Sequence, residues 1–281
     1  MLTLLSLNVN AEALSCKDLF ADKEYDVKEF VINLNGKKES TRLLNIAHVN
    51  LISNADVIEL KTALLTIADS GLTELTREQV VMINKFRQDT SFMRSVFQTN
   101  SKEHISPRKY ATFVRDFGHL KDMVNINEGA QAKDAAQKLL LKFAQLDLDT
   151  LLKDIKPASK KSVKKYFKAV IKNTRRIMKK YSMEVDELHD VRKNMRDILR
   201  FMQAQNELNG DGKINLSAGE RSDDTAQIDF LKKLNRKLGE VCDDYAAQII
   251  RGEITDTTLV EFPEKMRSRV EWFLERYRFE E

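Results

Sequence analysis

The sequence has few of the residues that interrupt regular structure: three prolines and nine glycines occur in 281 residues. Because proline and glycine break helices and form tight turns, their scarcity argues against a turn-rich β protein and favours long helices. The two cysteines, Cys16 and Cys242, are too few for a disulfide framework. After the N-terminus no run of about 18 apolar residues occurs, so no transmembrane segment is expected in the mature chain.

The first sixteen residues, MLTLLSLNVNAEALSC, combine a short apolar stretch with an A-x-A pattern at Ala11–Ala13. This pattern is typical of a signal-peptidase site, although the stretch lacks a positively charged start and its apolar core is short. We therefore expect residues 1–15 to be a signal peptide, which would place the mature protein in the periplasm or outside the cell. The alternative is an ordinary N-terminal helix of a cytoplasmic protein.

Apolar residues recur at steps of three and four along most of the chain after residue 40, which is the spacing of a helix face. This periodicity predicts an all-α fold. The helical pattern covers 40–70, 76–98, 108–126, 130–154, 160–182, 184–206, 224–251 and 263–279. The segment FVINL at Phe30 could form a short strand, but no second strand is evident to pair with it.

Two short segments, RDFGHLKDMVN and RKLGEVCDDYA, share one pattern in the two halves of the chain. Each carries a glycine followed four residues later by an aspartate, and each follows a long predicted helix across a loop. The repeated residues are Gly118 and Asp122 in the first segment and Gly239 and Asp243 in the second. The repetition indicates two related half-domains. An aspartate facing an arginine-bearing helix is more often a structural ion pair than a catalyst, so we expect structural roles here.

Positive charge is concentrated in one part of the chain. Between Lys156 and Arg200 there are fifteen Lys/Arg and five Asp/Glu, whereas the whole chain has a net charge of only +4. A strongly basic segment on a mildly acidic body points to a polyanionic partner.

The basic residues of this segment follow two helix faces. On the predicted helix 184–206 they lie one residue past the apolar stripe, at the edge of the face that packs on other helices. This set consists of His189, Arg192, Arg196 and Arg200, with Lys193 beside them. On the preceding helix a second set consists of Lys164, Lys168, Lys172 and Arg175. If the two helices pack antiparallel, we expect the two sets to form opposite walls of one basic groove. Arginine suits phosphate because its fork donates two parallel hydrogen bonds.

The stretch ELHDVRKNMRDILRFM, followed by LNRKLGEVCDD, resembles the conserved histidine α-helical domain (CHAD) family. The motif is H-x-x-R-x-x-x-[KR] and then L-G-x-x-x-D, matched here by His189, Arg192, Arg196, Leu238, Gly239 and Asp243. FGHLKD at 117–122 is similar to a first-half copy of the second element. In the first half, Met82, Lys85 and Asp89 stand where His189, Arg192 and Arg196 align, so that half is degenerate. The resemblance implies two pseudo-symmetric antiparallel helical bundles and a basic groove that binds inorganic polyphosphate without catalysis.

These patterns predict four segments: a signal peptide at 1–15, an unassigned extension at 16–59, a degenerate first half at 60–155, and a second half at 156–281 that carries the motif. His189 has no evident nucleophile or acid partner for general base catalysis. The four histidines show no H-E-x-x-H spacing, so we expect no metal and no cofactor. We therefore expect a non-enzymatic polyphosphate-binding protein. Two alternatives remain: RNA binding through the same helices, and a structural helical protein without a polyanion ligand.

Overall fold

The computed structural model describes residues 27–52, 56–144, 155–209 and 226–280. The predicted signal peptide at 1–15, Cys16 and the end of the predicted helix 130–154 lie outside the described residues.

Helices dominate the described ranges, which confirms the all-α class. The helices are α1 (Lys37–Ile52), α2 (Asp56–Ser70), α3 (Arg77–Asn100), α4 (Arg108–Asn125), α5 (Gly129–Ala144), α6 (Lys160–Met178), α7 (Val185–Asn209), α8 (Ala226–Ile250) and α9 (Glu264–Arg276). The short strands are β1 (Phe30–Asn33), β2 (Ser182–Glu184), β3 (Leu259–Glu261) and β4 (Tyr277–Glu280). No helix of the described residues is long and apolar enough to cross a membrane.

Helices α1 to α5 enclose the first of two apolar cores. A capping box starts α3, because the Thr76 side chain accepts from the backbone of Gln79 while the Gln79 side chain accepts from the backbone of Thr76. Leu43 and Leu44 of α1 are buried in this core together with residues of α2 to α5. Part of the unassigned extension at 16–59 therefore packs with the first half of the chain.

Helices α6 to α9 enclose the second core, and residues 27–34 complete it. Phe30 of β1 is fully buried, with its ring 5.0 Å from Phe273 and 5.2 Å from Phe230. The strand β1 pairs in parallel with β4 at the far end of the chain. The predicted helix 263–279 is corrected accordingly: it ends at Arg276, and the next four residues form the strand that pairs with β1.

The two cores meet where α3 packs against α7. Helix α4 packs on α3, α8 packs on α7, and α4 also contacts α8. These four helices therefore surround one seam between the two halves of the molecule. A second two-stranded sheet, in which β2 pairs antiparallel with β3, connects the start of α7 to the segment after α8.

Candidate functional site

Seven basic side chains converge on the seam of α3, α4, α7 and α8, and we call this group the cationic cluster. Its members are Arg87, Arg94, Lys121, His189, Arg192, Arg196 and Arg200. The members lie close enough together for their charges to shift one another's pKa values. Arg94 lies close enough to His189, Arg196 and Arg200 to lower the pKa of each.

Glycines let two of the arginines lie flat against the neighbouring helix. A Cβ on Gly239 of α8 would lie 3.3 Å from Nη2 of Arg192 on α7. A Cβ on Gly118 of α4 would lie only 2.8 Å from Nη2 of Arg87 on α3. The same arrangement of a glycine beneath an arginine therefore occurs once in each pair of helices.

A carboxylate bridges the two halves at the exposed side of the cationic cluster. Asp243 of α8 accepts at Oδ1 from Arg192, at 2.9 Å, and at Oδ2 from Lys121 of α4, at 3.3 Å. Lys121 also lies 3.3 Å from Asp122. Asp243 keeps 46% of its side-chain surface exposed, whereas Lys121 keeps 19%. The bridge thus consists of two largely covered cations and one carboxylate that faces solvent.

The pKa values of the two aspartates of the repeated pattern are shifted in opposite directions. Burial alone would raise the pKa of Asp243, but the charges of Arg192 and Lys121 and their hydrogen bonds outweigh it and lower that pKa. Burial raises the pKa of Asp122, and Lys121 and Arg87 only partly offset this rise. Asp243 is therefore the carboxylate that the cations hold most firmly in its charged form.

The inner end of the cationic cluster is anchored by a buried polar network. Arg200 donates through Nη1 to Ser91, at 2.7 Å, and to Ser95, at 3.3 Å. Ser95 in turn donates to Asp197 at 2.8 Å, and Tyr166 of α6 donates to the other oxygen of Asp197 at 3.2 Å. Arg200 is therefore fixed by protein groups of α3.

Arg196 belongs to the cationic cluster, and one of its guanidinium nitrogens lacks a hydrogen-bond partner among the described residues. Its Nε is buried and makes no hydrogen bond in the structure as described. The Asp197 carboxylate is 4.0 Å from that atom. Burial, with Arg94 and Arg192 nearby, lowers the pKa of Arg196 to about 10 against the opposing effect of Asp197, so the guanidinium is charged at neutral pH. A buried charged donor without a partner is costly, and an anion would remove that cost.

His189 contributes an uncharged ring to this cationic surrounding. Burial, followed by the charges of Lys193, Arg192 and Arg196, lowers the pKa of His189 to about 3. The imidazole is therefore neutral at neutral pH, with one nitrogen able to donate a hydrogen bond. Lys193 lies further out and is paired with Asp190 at 3.2 Å.

Arg175, a member of the predicted set on α6, lies away from the cationic cluster. Arg175 donates to the backbone oxygen of Leu274, at 2.7 Å, and lies over the Tyr277 ring on the other side of α6. Lys168 and Lys172 are exposed, and Lys164 is partly buried. Helix α6 packs on α7 through its apolar face, which leaves Lys168 and Lys172 exposed. The wall facing α7 is formed instead by α3 and α4.

Three cations of that wall, Arg87, Arg94 and Lys121, were not predicted from the sequence. The expected register placed Lys85 at the position matching Arg192, but Lys85 is exposed, and Arg87 occupies the place beside Gly118. Arg87, two residues after Lys85, is therefore the residue of α3 that lies against Gly118. The available signal was Gly118 itself, because a glycine facing a helix marks the point where a bulky side chain crosses.

In the described ranges no group of three or more His, Cys, Asp or Glu residues is arranged to hold a metal ion. Cys242 is a buried free thiol of α8. A scan against protein-family models matched no family, and searches of curated proteins and of solved structures returned no significant match.

Proposed function

We propose that this chain binds inorganic polyphosphate, without turnover, in a basic groove at the cationic cluster. The observation that carries the proposal is Arg196, a charged guanidinium whose buried Nε has no hydrogen-bond partner among the described residues. An oxyanion reaching this position would accept from Nε and would relieve the repulsion that Arg94 and Arg192 exert on Arg196.

The charge balance of the seam favours an anion. Five carboxylates lie among or beside the cations: Asp89, Asp122, Asp190, Asp197 and Asp243. They face seven arginine and lysine residues: Arg87, Arg94, Lys121, Arg192, Lys193, Arg196 and Arg200. The positive excess is concentrated in a partly dry environment, where an unneutralised charge is costly.

The shape of the cluster favours a linear anion. From His189 to Arg200 the basic row of α7 extends over eleven residues, or about 16 Å at the helical rise. One phosphate group cannot contact both ends of such a row, whereas a chain of phosphates can contact Arg192 and Arg196 together. Arginine forks at both positions suit tetrahedral phosphate groups along the chain.

We further propose that the two halves are related antiparallel bundles of the kind implied by the resemblance to the CHAD family. Arg87 lies against Gly118 with the charge of Asp122 nearby, and Arg192 lies against Gly239 and donates to Asp243. This correspondence supports the proposal, because unrelated helix pairs would have no reason to repeat both the glycine contact and the aspartate.

Binding of long-chain polyphosphate, measured by isothermal titration calorimetry, tests the proposal. The variant R192A/R196A should lose at least about tenfold in affinity while its helical circular dichroism is retained. The matched control is R115A/R251A, which removes two exposed arginines away from the cluster. Absence of binding by the unaltered protein, or equal losses in the two double variants, would contradict the proposal. Absence of binding would also favour a structural helical protein without a polyanion ligand.

A second candidate function, RNA binding, is supported by the exposed face of α6. Between residues 160 and 180 there are ten Lys/Arg and no Asp/Glu, and Lys168 and Lys172 are exposed on that face. Flexible, hydrated lysines suit diffuse attraction to a nucleic-acid backbone. If RNA is the ligand, K168A/K172A should weaken its binding, R192A/R196A should not, and polyphosphate of equal charge should compete poorly.

A further inference from the structure

Asp243 has the contacts that a bound anion would make. Its two oxygens are held separately by Arg192 of α7 and Lys121 of α4, at 2.9 and 3.3 Å, so one carboxylate joins cations from both halves of the chain. Two oxygens of a phosphate group placed at the same point would accept from the same two donors.

Asp243 is also better placed to move into solvent than either of its two partners. Asp243 retains 46% of its side-chain surface, so rotating it toward water would expose the charge and bury nothing. Its two cationic partners are much more covered, with exposed fractions of 24% for Arg192 and 19% for Lys121. If Asp243 left, these two cations would remain in place as unneutralised donors beside Arg196.

We infer that Asp243 is an internal competitor of the anionic ligand, which occupies the Arg192–Lys121 position in the free protein and is displaced when polyphosphate binds. This inference rests on the proposed function. Asp243 would then set the affinity for polyphosphate, because a phosphate group at this position has to displace the Asp243 carboxylate from Arg192 and Lys121.

A merely structural aspartate would behave in the opposite way. If Asp243 served only to orient Arg192, removing its charge would leave that guanidinium disordered and would weaken anion binding. Asp197 provides an internal contrast. It is buried, with an exposed fraction of 8%, and is tied to Ser95 and Tyr166, so it has no route to water. The two roles therefore predict changes of opposite sign for Asp243.

The test is the affinity of tripolyphosphate and of long-chain polyphosphate for the unaltered protein and for D243N. We expect D243N to bind both ligands about tenfold more tightly. A gain of this size follows if Asp243 occupies the Arg192–Lys121 position in about nine-tenths of the ligand-free molecules. D243S serves as a second uncharged variant should D243N fold poorly. The matched control is E253Q, which removes one negative charge from an exposed pair with Arg251 and should change affinity by less than about threefold.

A double-mutant cycle shows whether the gain acts through the proposed contact. In the R192A background, D243N should produce a much smaller gain, because one of the two donors it frees is absent. Unchanged or weaker binding by both D243N and D243S would overturn the inference, as would an equal gain in E253Q. Absence of polyphosphate binding by every variant, including the unaltered protein, would instead overturn the proposed function.

Discussion

Ser95 and Asp197, which are 102 residues apart in the chain, are joined by a buried 2.8 Å hydrogen bond between α3 and α7. This bond connects the two cores at the point where the cationic cluster ends. Tyr166 donates to the other oxygen of Asp197, so the carboxylate depends on two donors from two different helices.

Replacing Ser95 with alanine should therefore destabilise the protein. The substitution leaves Asp197 buried with one donor fewer, and it also removes an acceptor of Arg200. We expect the free energy of unfolding to fall by about 1–3 kcal/mol, measured by urea denaturation. S268A, which alters a partly exposed serine of α9 that donates to Glu264 of its own helix, should change it by less than about 0.5 kcal/mol.

Alanine at Gly118 should be less well tolerated than alanine at Gly239. A new Cβ would lie 2.8 Å from the Arg87 guanidinium in the first case and 3.3 Å from that of Arg192 in the second. Helix propensity favours alanine by about 1 kcal/mol at both sites, but displacing the buried Arg87 costs about 1–3 kcal/mol. We expect G118A to be destabilised relative to G239A in thermal unfolding; equal or reversed stability would show that Arg87 moves freely.

His189 should make the protein less stable in acid. Its pKa is about 3 in the folded protein and near 6.5 in the unfolded chain, so the unfolded chain binds the additional proton between these values. The contribution of His189 is complete above pH 6.5 and is lost progressively as pH falls toward 3. H189Q should therefore flatten the decrease in unfolding free energy over this range. His104, whose pKa is lowered chiefly by burial, contributes in the same direction.

The control for this pH dependence is H119Q, which replaces an exposed histidine of α4. Its stability should follow that of the unaltered protein from pH 7 to pH 4. A profile for H189Q parallel to that of the unaltered protein would show that His189 is accessible to protons in the folded state.

Arg175 should affect stability and leave polyphosphate binding unchanged. R175A removes the hydrogen bond to the Leu274 carbonyl and the contact with the Tyr277 ring, and we expect a loss of about 1–2 kcal/mol in urea denaturation. Its affinity for polyphosphate should stay within about twofold of the unaltered protein, because Arg175 lies away from the cationic cluster. K168A, at an exposed neighbouring position, should not change stability. A large loss of polyphosphate affinity in R175A would show that α6 contributes to the binding groove, as the sequence predicted.

The helices and the basic row of α7 could be predicted from the sequence, because both follow local spacing along the chain. The partner of that row could not. The periodicity of α6 indicates which residues are buried but not which neighbour they face, and α6 uses its apolar face on α7 while Arg175 turns to α9 and β4. The pairing of β1 with β4 was missed for a related reason. Each strand has only four residues, and its sequence does not indicate which distant segment it pairs with.

The contact of Arg87 with Gly118 was not predicted, because a sequence pattern gives the sign of a charge and not how its side chain packs. Lys85 aligned with Arg192 as another cation, yet the glycine on α4 selects Arg87. Steric fit between helices, rather than the sign of a charge, decides which basic side chain enters the seam.

The pairing of β1 with β4 has a consequence for synthesis. The first core needs little beyond α1 to α5, so it can form while the rest of the chain is still being made. The second core needs Phe30 from near the start and Phe273 from near the end, and its parallel strand pair closes only when residues 277–280 have left the ribosome. Until then Phe30 lacks the partners from α9 and β4 that bury it in the folded protein.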